Sequence, residues 1–126
     1  MTDRELVLRA LDNRANAYAP YSKFQVGAAL LCADGRVFDG CNVECGSYGA
    51  TICAERTAFV SAVAAGEREF KALAVSSSGE DFCMPCGICR QFIFELAPSL
   101  RVLCANPKGE WREYSRDDLL PHAFEL

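Results

Sequence analysis

The order of apolar and polar positions divides the chain into short helices and strands. Thr2 and Glu5 stand at capping-box spacing, and Val7, Ala10, Leu11, the Arg14 stem and Tyr18 trace one helical face as far as Pro20. An amphipathic helix is therefore expected first. Phe24 to Cys32 and Arg36 to Val43 are rich in apolar residues and flank Asp34-Gly35, a pattern that predicts an antiparallel hairpin. After a small-residue loop from Cys45 to Tyr48, Ile52, Phe59, Val60 and Val63 recur at helical spacing until Gly66, which predicts a core helix. Phe70 to Ser77 reads as a third strand, Gly87 to Leu96 as a helix stopped before Pro98, and Arg101 to Ala105 as a fourth strand. A turn at Pro107-Lys108-Gly109 leads to a fifth strand around Trp111 and a short terminal helix near Asp117. Helices alternating with strands predict an α/β layered sheet with right-handed crossovers.

The 126 residues suit a single domain spanning 1–126, and no repeat, linker or low-complexity tract interrupts them. With 51% apolar and 24% charged residues, the chain can close a core. The net charge of -4 and the absence of adjacent basic residues disfavour a polynucleotide substrate. No secretory signal and no apolar run of the roughly 18 residues that span a membrane is present, so a cytoplasmic protein is expected. In that compartment eight cysteines point to metal binding or catalysis rather than to a disulfide framework.

Two segments carry the chemistry: Cys53-Ala54-Glu55 and Pro85-Cys86-Gly87-Ile88-Cys89, each at the start of a predicted helix. Cys86 and Cys89, three residues apart in a first turn, share a face, so both sulfurs can bind one ion at about 2.3 Å. Cys53 supplies a third ligand, and the helix N-termini favour the thiolates that zinc requires. Three protein ligands leave a fourth position for water, whose pKa zinc lowers towards neutrality. Glu55, two residues from a ligand, can lie beside that water and move its proton. This is the arrangement described in general for nucleobase deaminases, including the optional all-cysteine ligand set. On the motifs alone, a closed structural zinc with Glu55 as an ordinary first-turn acid is the alternative.

Residues 20–30 (PYSKFQVGAAL), Asn42-Val43-Glu44, Tyr48-Gly49 and residues 51–58 (TICAERTA) extend the pattern, and with them nearly the whole chain resembles the small homotetrameric cytidine deaminases. The resemblance implies a three-layer α-β-α fold with a mixed, roughly five-stranded sheet and one Zn²⁺ per chain. It also implies hydrolysis of cytidine and 2′-deoxycytidine to the uracil nucleosides and ammonia, a step of pyrimidine salvage. Asn42 and Glu44 match residues that hydrogen-bond the ribose, Phe24 an aromatic near the base, and Ala54 a backbone contact to it. Arg56 matches an arginine that donates to the ligand thiolates, where a cation offsets the net negative charge of three thiolates on zinc. Gln91 is a further candidate donor. The ending Leu119-Leu120-Pro121-His122-Ala123-Phe124 is similar to that of the tetrameric enzymes, in which the phenylalanine covers the base in a neighbouring subunit's site.

Taken singly, these residues have plainer roles: Phe24 as core, Asn42 as a turn residue, Glu44 as a loop acid and Arg56 as a solvated side chain. Cys32, Cys41 and Cys104 read as small buried hydrophobes and His122 as a surface residue. Cys45-Gly46 departs from the Asn-Ala of the resembled family, which bears on the 5′ side of a bound nucleoside. Cys83, Cys86 and Cys89 also form a CxxCxxC run, so an iron–sulfur module is the runner-up; the Cys-Pro pair that would complete that pattern is missing. A relative acting on another cytosine-bearing molecule is a third reading.

Overall fold

A computed structural model describes residues 1–126 and contains one mixed sheet in the order β2-β1-β3-β4-β5. The strands are β1 (Val26–Cys32), β2 (Val37–Cys41), β3 (Phe70–Ser77), β4 (Arg101–Ala105) and β5 (Trp111–Tyr114). The helices are α1 (Asp3–Asn13), α2 (Ala54–Ala64), α3 (Gly87–Leu96) and α4 (Arg116–Leu119). Neighbouring strands are antiparallel except β3 and β4, which are parallel and joined through α3. None of the helices is long and apolar enough to cross a membrane.

The central strands are apolar at nearly every position because both faces of the sheet are covered. Ala28, Leu30, Leu73, Val75, Val102 and Cys104 pack with Phe59 of α2 and Ile93 of α3. The alternate positions Ala29, Ala72, Ala74, Leu103 and Ala105 pack with Leu6, Val7 and Ala10 of α1. That second face is paved mostly with alanine, so α1 lies close to the sheet. Gly27 marks the closest approach, since a Cβ there would stand 2.1 Å from the Ala10 carbonyl oxygen. The outcome is the expected three-layer α-β-α arrangement.

The same close packing sets the position of α2. A Cβ on Gly40 of β2 would meet the Ala54 carbonyl oxygen at 2.2 Å, so glycine lets the first turn of α2 press on the end of the strand. Val26 pairs with Ser77 and Gly27 with Cys41, which places the start of β1 beside the ends of β2 and β3. Chain leaving β2 and β3 therefore reaches the N-termini of α2 and α3 beyond the same end of these strands. Clefts outside the C-terminal ends of strands are the usual ligand sites of α/β sheets.

Several boundaries differ from the sequence expectation. Thr2 caps α1 with the predicted box, but the helix stops at Asn13 and tightens into a 3₁₀ turn over Arg14–Asn16. Asn13 is buried there and donates to the Ala28 carbonyl and to Asp39. Tyr18 is not on a helical face; it bridges Val43 in extended conformation. Ile52 likewise precedes α2 and bridges Val43, while Val60 faces outward. Cys32 and Cys104 are buried as expected, but Cys41 is half-buried, its thiol set against the Asn16 carbonyl.

Candidate active site

The facing N-termini of α2 and α3 gather three sulfurs. Cys53 is the N-cap of α2, Cys86 the N-cap of α3, and Cys89 lies in the first turn of α3. Their Sγ atoms all fall within 4.8 Å of one another, with Cys53 and Cys86 3.6 Å apart. Sulfurs bound to one tetrahedral zinc at about 2.3 Å stand about 3.8 Å apart, so the spacing suits that ion. The Cys89 backbone N–H points at the Cys86 sulfur at 3.5 Å, as a capped helix end stabilising a thiolate does.

Arg56 supports the same conclusion. Its Nη2 donates to Cys53 Sγ at 3.5 Å and to the Thr51 carbonyl at 3.4 Å, while its buried Nε has no protein partner. A half-buried cation with a buried spare donor belongs beside negative charge. A hydrogen bond from Cys89 is the largest influence on Cys53 and, with Arg56, holds its thiol down at about 5 against the effect of burial. Cys89 moves the opposite way, pushed up first by that same bond, then by burial and by the nearby negative charges. The opposite shifts reflect one proton shared between Cys53 and Cys89, and a bound cation would favour the thiolate at both. The residues fit zinc.

Glu55 follows Cys53 by two positions and is only 4% exposed. Burial is the main cause that pushes its carboxyl up to about 7, helped by the charge of Cys53 and opposed by its own backbone N–H, by Cys89 and by Arg56. A carboxyl poised near neutrality can both take and give a proton. It lines a cavity of about 270 Å³ together with Cys53, Cys86, Phe24, Asn42 and Glu44. A second hollow of about 400 Å³ adjoins it, sharing Ser22, Glu44 and Thr51 and adding Tyr21 and Tyr48.

The part of the wall formed by Phe24, Asn42 and Glu44 is tightly held. Asn42 is buried, accepts from the Val26 N–H through Oδ1 at 2.9 Å and donates from Nδ2 to the Phe24 carbonyl at 2.8 Å. Glu44 Oε1 accepts from the N–H groups of Tyr21 and Ser22 at 3.0 and 3.1 Å, and Oε2 accepts from the Ser22 hydroxyl. These bonds hold the Glu44 carboxyl below its ordinary range, the Ser22 hydroxyl being the first of them. The Phe24 ring stands over Gly79, where a Cβ would come within 3.2 Å of it.

Residues 1–105 match the model of the cytidine and deoxycytidylate deaminase zinc-binding region. The chain belongs to this deaminase family. It is 49% identical over 125 residues to the cytidine deaminase of Sporosarcina psychrophila, a match covering 98% of this chain and 92% of that protein. It is 46% identical over 124 residues to the cytidine deaminase of Halalkalibacterium halodurans, covering 97% and 94%. The crystal structure of cytidine deaminase from Burkholderia pseudomallei superposes with a TM-score of 0.95 at 53% identity, covering 98% of this chain and all of that one.

Within this deaminase fold, the structure gathers Cys53, Cys86 and Cys89 with Arg56 on the Cys53 sulfur, and one cavity is lined by Cys53, Cys86, Ala54 and Glu55 together with Phe24, Asn42 and Glu44. Cys83 lines the cavity but stands outside the sulfur cluster; its N–H donates to the Ala105 carbonyl and burial pushes its thiol up to about 12. The iron–sulfur reading loses a ligand. Gln91 requires a correction, because its amide nitrogen donates to the Phe124 carbonyl at 3.2 Å and Glu95 at 3.4 Å rather than to a sulfur. Phe124 itself is 67% exposed and lines none of this chain's own active cavity. His122 and Cys45 are exposed. Sequence reasoning gave no separate role to Ser22, Thr51 or Met84, which also line the cavity. Ser22 and Thr51 lie inside the motifs at 20–30 and 51–58, but only their hydrogen bonds with Glu44 and with the Cys45 N–H distinguish them.

Proposed function

We propose that this protein hydrolyses cytidine and 2′-deoxycytidine to the uracil nucleosides with release of ammonia. The observation that carries the reading is a buried carboxyl, Glu55, that lines a nucleoside-sized cavity next to three clustered cysteines, two of which line it too. Its family membership and the names of its relatives support the same activity. Cys53, Cys86 and Cys89 hold one zinc, which when bound supplies the Lewis acidity that makes a water nucleophilic near neutral pH. Arg56 donates to the ligand sulfur and offsets the negative charge of the thiolates.

Glu55 moves the protons. It takes one from the attacking water and delivers it to N3 of the base so that C4 becomes electrophilic, then takes the second from the hydroxyl added at C4 and gives it to the departing amine. Water adds at C4 and the C4–N4 bond breaks, so one water is consumed and one ammonia released. Ala54 offers backbone contacts to the base and Phe24 an aromatic wall beside it, while Asn42 and Glu44 bind the sugar hydroxyls. Sites built for hydroxyls reject ligands lacking them, so free cytosine and polynucleotides are poor substrates. A kcat/KM for free cytosine equal to that for cytidine contradicts this assignment.

Phe124 extends the proposal to a homotetramer with shared sites, working in the cytoplasm. Its carbonyl is tethered by Gln91 while its ring stays exposed, which suits a side chain that covers the base in a neighbouring subunit. Closing the pocket against water strengthens the electrostatics within it. Phe124→Ala is expected to sediment as a tetramer and to bind cytidine roughly tenfold more weakly, a loss of about 1.4 kcal/mol. A fully active monomer in the same sedimentation and assay series rules out shared sites.

A further inference from the structure

The Glu44 carboxylate has about four acceptor positions, two on each oxygen. Both positions on Oε1 are taken, by the backbone N–H groups of Tyr21 and Ser22. On Oε2 one position is taken by the Ser22 hydroxyl, which leaves a single acceptor for a ligand. The direction of that bond follows from the ionised carboxylate, which can only accept, so the Ser22 hydroxyl gives Glu44 its one proton while its oxygen accepts from the Phe24 N–H at 3.0 Å. Phe24 is thereby held on both sides of its backbone, by Ser22 at the N–H and by Asn42 at the carbonyl. The next residue along from Ser22, Lys23, has φ of 61°, a left-handed conformation uncommon outside glycine. Such a turn persists only where its surroundings determine it, and the Glu44–Ser22–Phe24 chain of bonds spans it.

We propose that Ser22 is a positioning residue for sugar recognition, its hydroxyl fixing the rotation of the Glu44 carboxylate so that the one free Oε2 acceptor meets a ribose hydroxyl. The proposal rests on the reading that Glu44 binds the sugar. Without the Ser22 hydroxyl the carboxylate keeps its two backbone bonds through Oε1. The loss is therefore one of orientation at Oε2, felt when a sugar hydroxyl must be bound and absent when there is none. Ser22 also lines the cavity, but its donor is spent on Glu44, so it acts through that carboxylate.

The test uses zinc-loaded enzyme and two substrates, cytidine and 2′,3′-dideoxycytidine, the second lacking both ribose ring hydroxyls. Ser22→Ala is expected to raise KM for cytidine about tenfold while kcat changes less than about twofold, an orientation loss within the range of a charged hydrogen bond. The ratio of kcat/KM for cytidine over dideoxycytidine falls by the same tenfold. Any loosening of Phe24 weakens both substrates and cancels in that ratio. Ser22→Thr, which keeps the hydroxyl, is expected to restore it. Equal losses on both substrates, or a failure of Thr to rescue, overturn the proposal and leave Ser22 a structural residue only. If Ser22→Ala does not fold, Ser22→Cys keeps the shape with a weak donor and is judged by the same ratio. Glu44→Ala separates the two levels. A ratio that collapses in Glu44→Ala but not in Ser22→Ala overturns the role of Ser22 alone, whereas a wild-type ratio in Glu44→Ala overturns sugar binding by Glu44 itself.

Discussion

Glu55→Gln is expected to bind zinc and fold as the wild type does, yet to lose at least about a hundredfold in kcat, the usual worth of positioned acid–base catalysis. The amide keeps the shape of the side chain but cannot carry a proton between water, N3 and the leaving amine. The same variant probes the electrostatics in the metal-free protein. There the Glu55 carboxyl is raised from 4.5 to about 7, chiefly by burial, so the fold favours its protonated form. That contribution to stability is fully present below pH 4.5 and is lost as pH rises through about 7. Metal-free Glu55→Gln should therefore unfold near the wild-type temperature at pH 4 and above it at pH 8. Near-normal turnover in a zinc-replete Glu55→Gln enzyme removes Glu55 from the chemistry.

The cysteine series is expected to show a comparable loss for a different reason. Cys53→Ser, Cys86→Ser and Cys89→Ser should each release zinc and drop activity by at least about a hundredfold, because a hydroxyl offers zinc no thiolate at neutral pH. Cys83→Ser should keep both, since that thiol is outside the cluster. The contrast is informative because all four lie in or beside one pocket and three of them fall in a single CxxCxxC run. Metal analysis of the purified variants decides the ligand set; loss of zinc in Cys83→Ser with retention in Cys86→Ser reverses the assignment.

The elements that matched their sequence boundaries are those with a continuous apolar run between breakers: β3 at Phe70–Ser77, α3 at Gly87–Leu96 and β4 at Arg101–Ala105. Burial on both faces of the sheet leaves such runs little choice of register. The end of α1 was not legible. Tyr18 falls at helical spacing from Leu11, but its backbone is used in a bridge with Val43, a partner 25 residues away. Val60 shows the same limit, since a residue of core type at helical spacing can still face outward. In the site, local spacing was enough for the sulfurs and Glu55, because helix starts impose their geometry on adjacent residues. The role of Gln91 is not legible locally, because its partner, the Phe124 carbonyl, arrives from 33 residues further along. The Ser22 clasp on Glu44 likewise joins segments 22 residues apart, and neither leaves a mark in sequence alone.

The central claim, a zinc site coupled to a proton-carrying carboxyl that deaminates cytidine, is tested most directly on one purified preparation. Its metal content is measured alongside the ultraviolet-monitored conversion of cytidine to uridine, before and after chelation and zinc restoration. The account predicts one zinc per chain, one ammonia released per uridine formed, and conversion that disappears with the metal and returns with it. A preparation holding one zinc per chain that leaves cytidine unchanged, or one that binds iron in place of zinc, contradicts it.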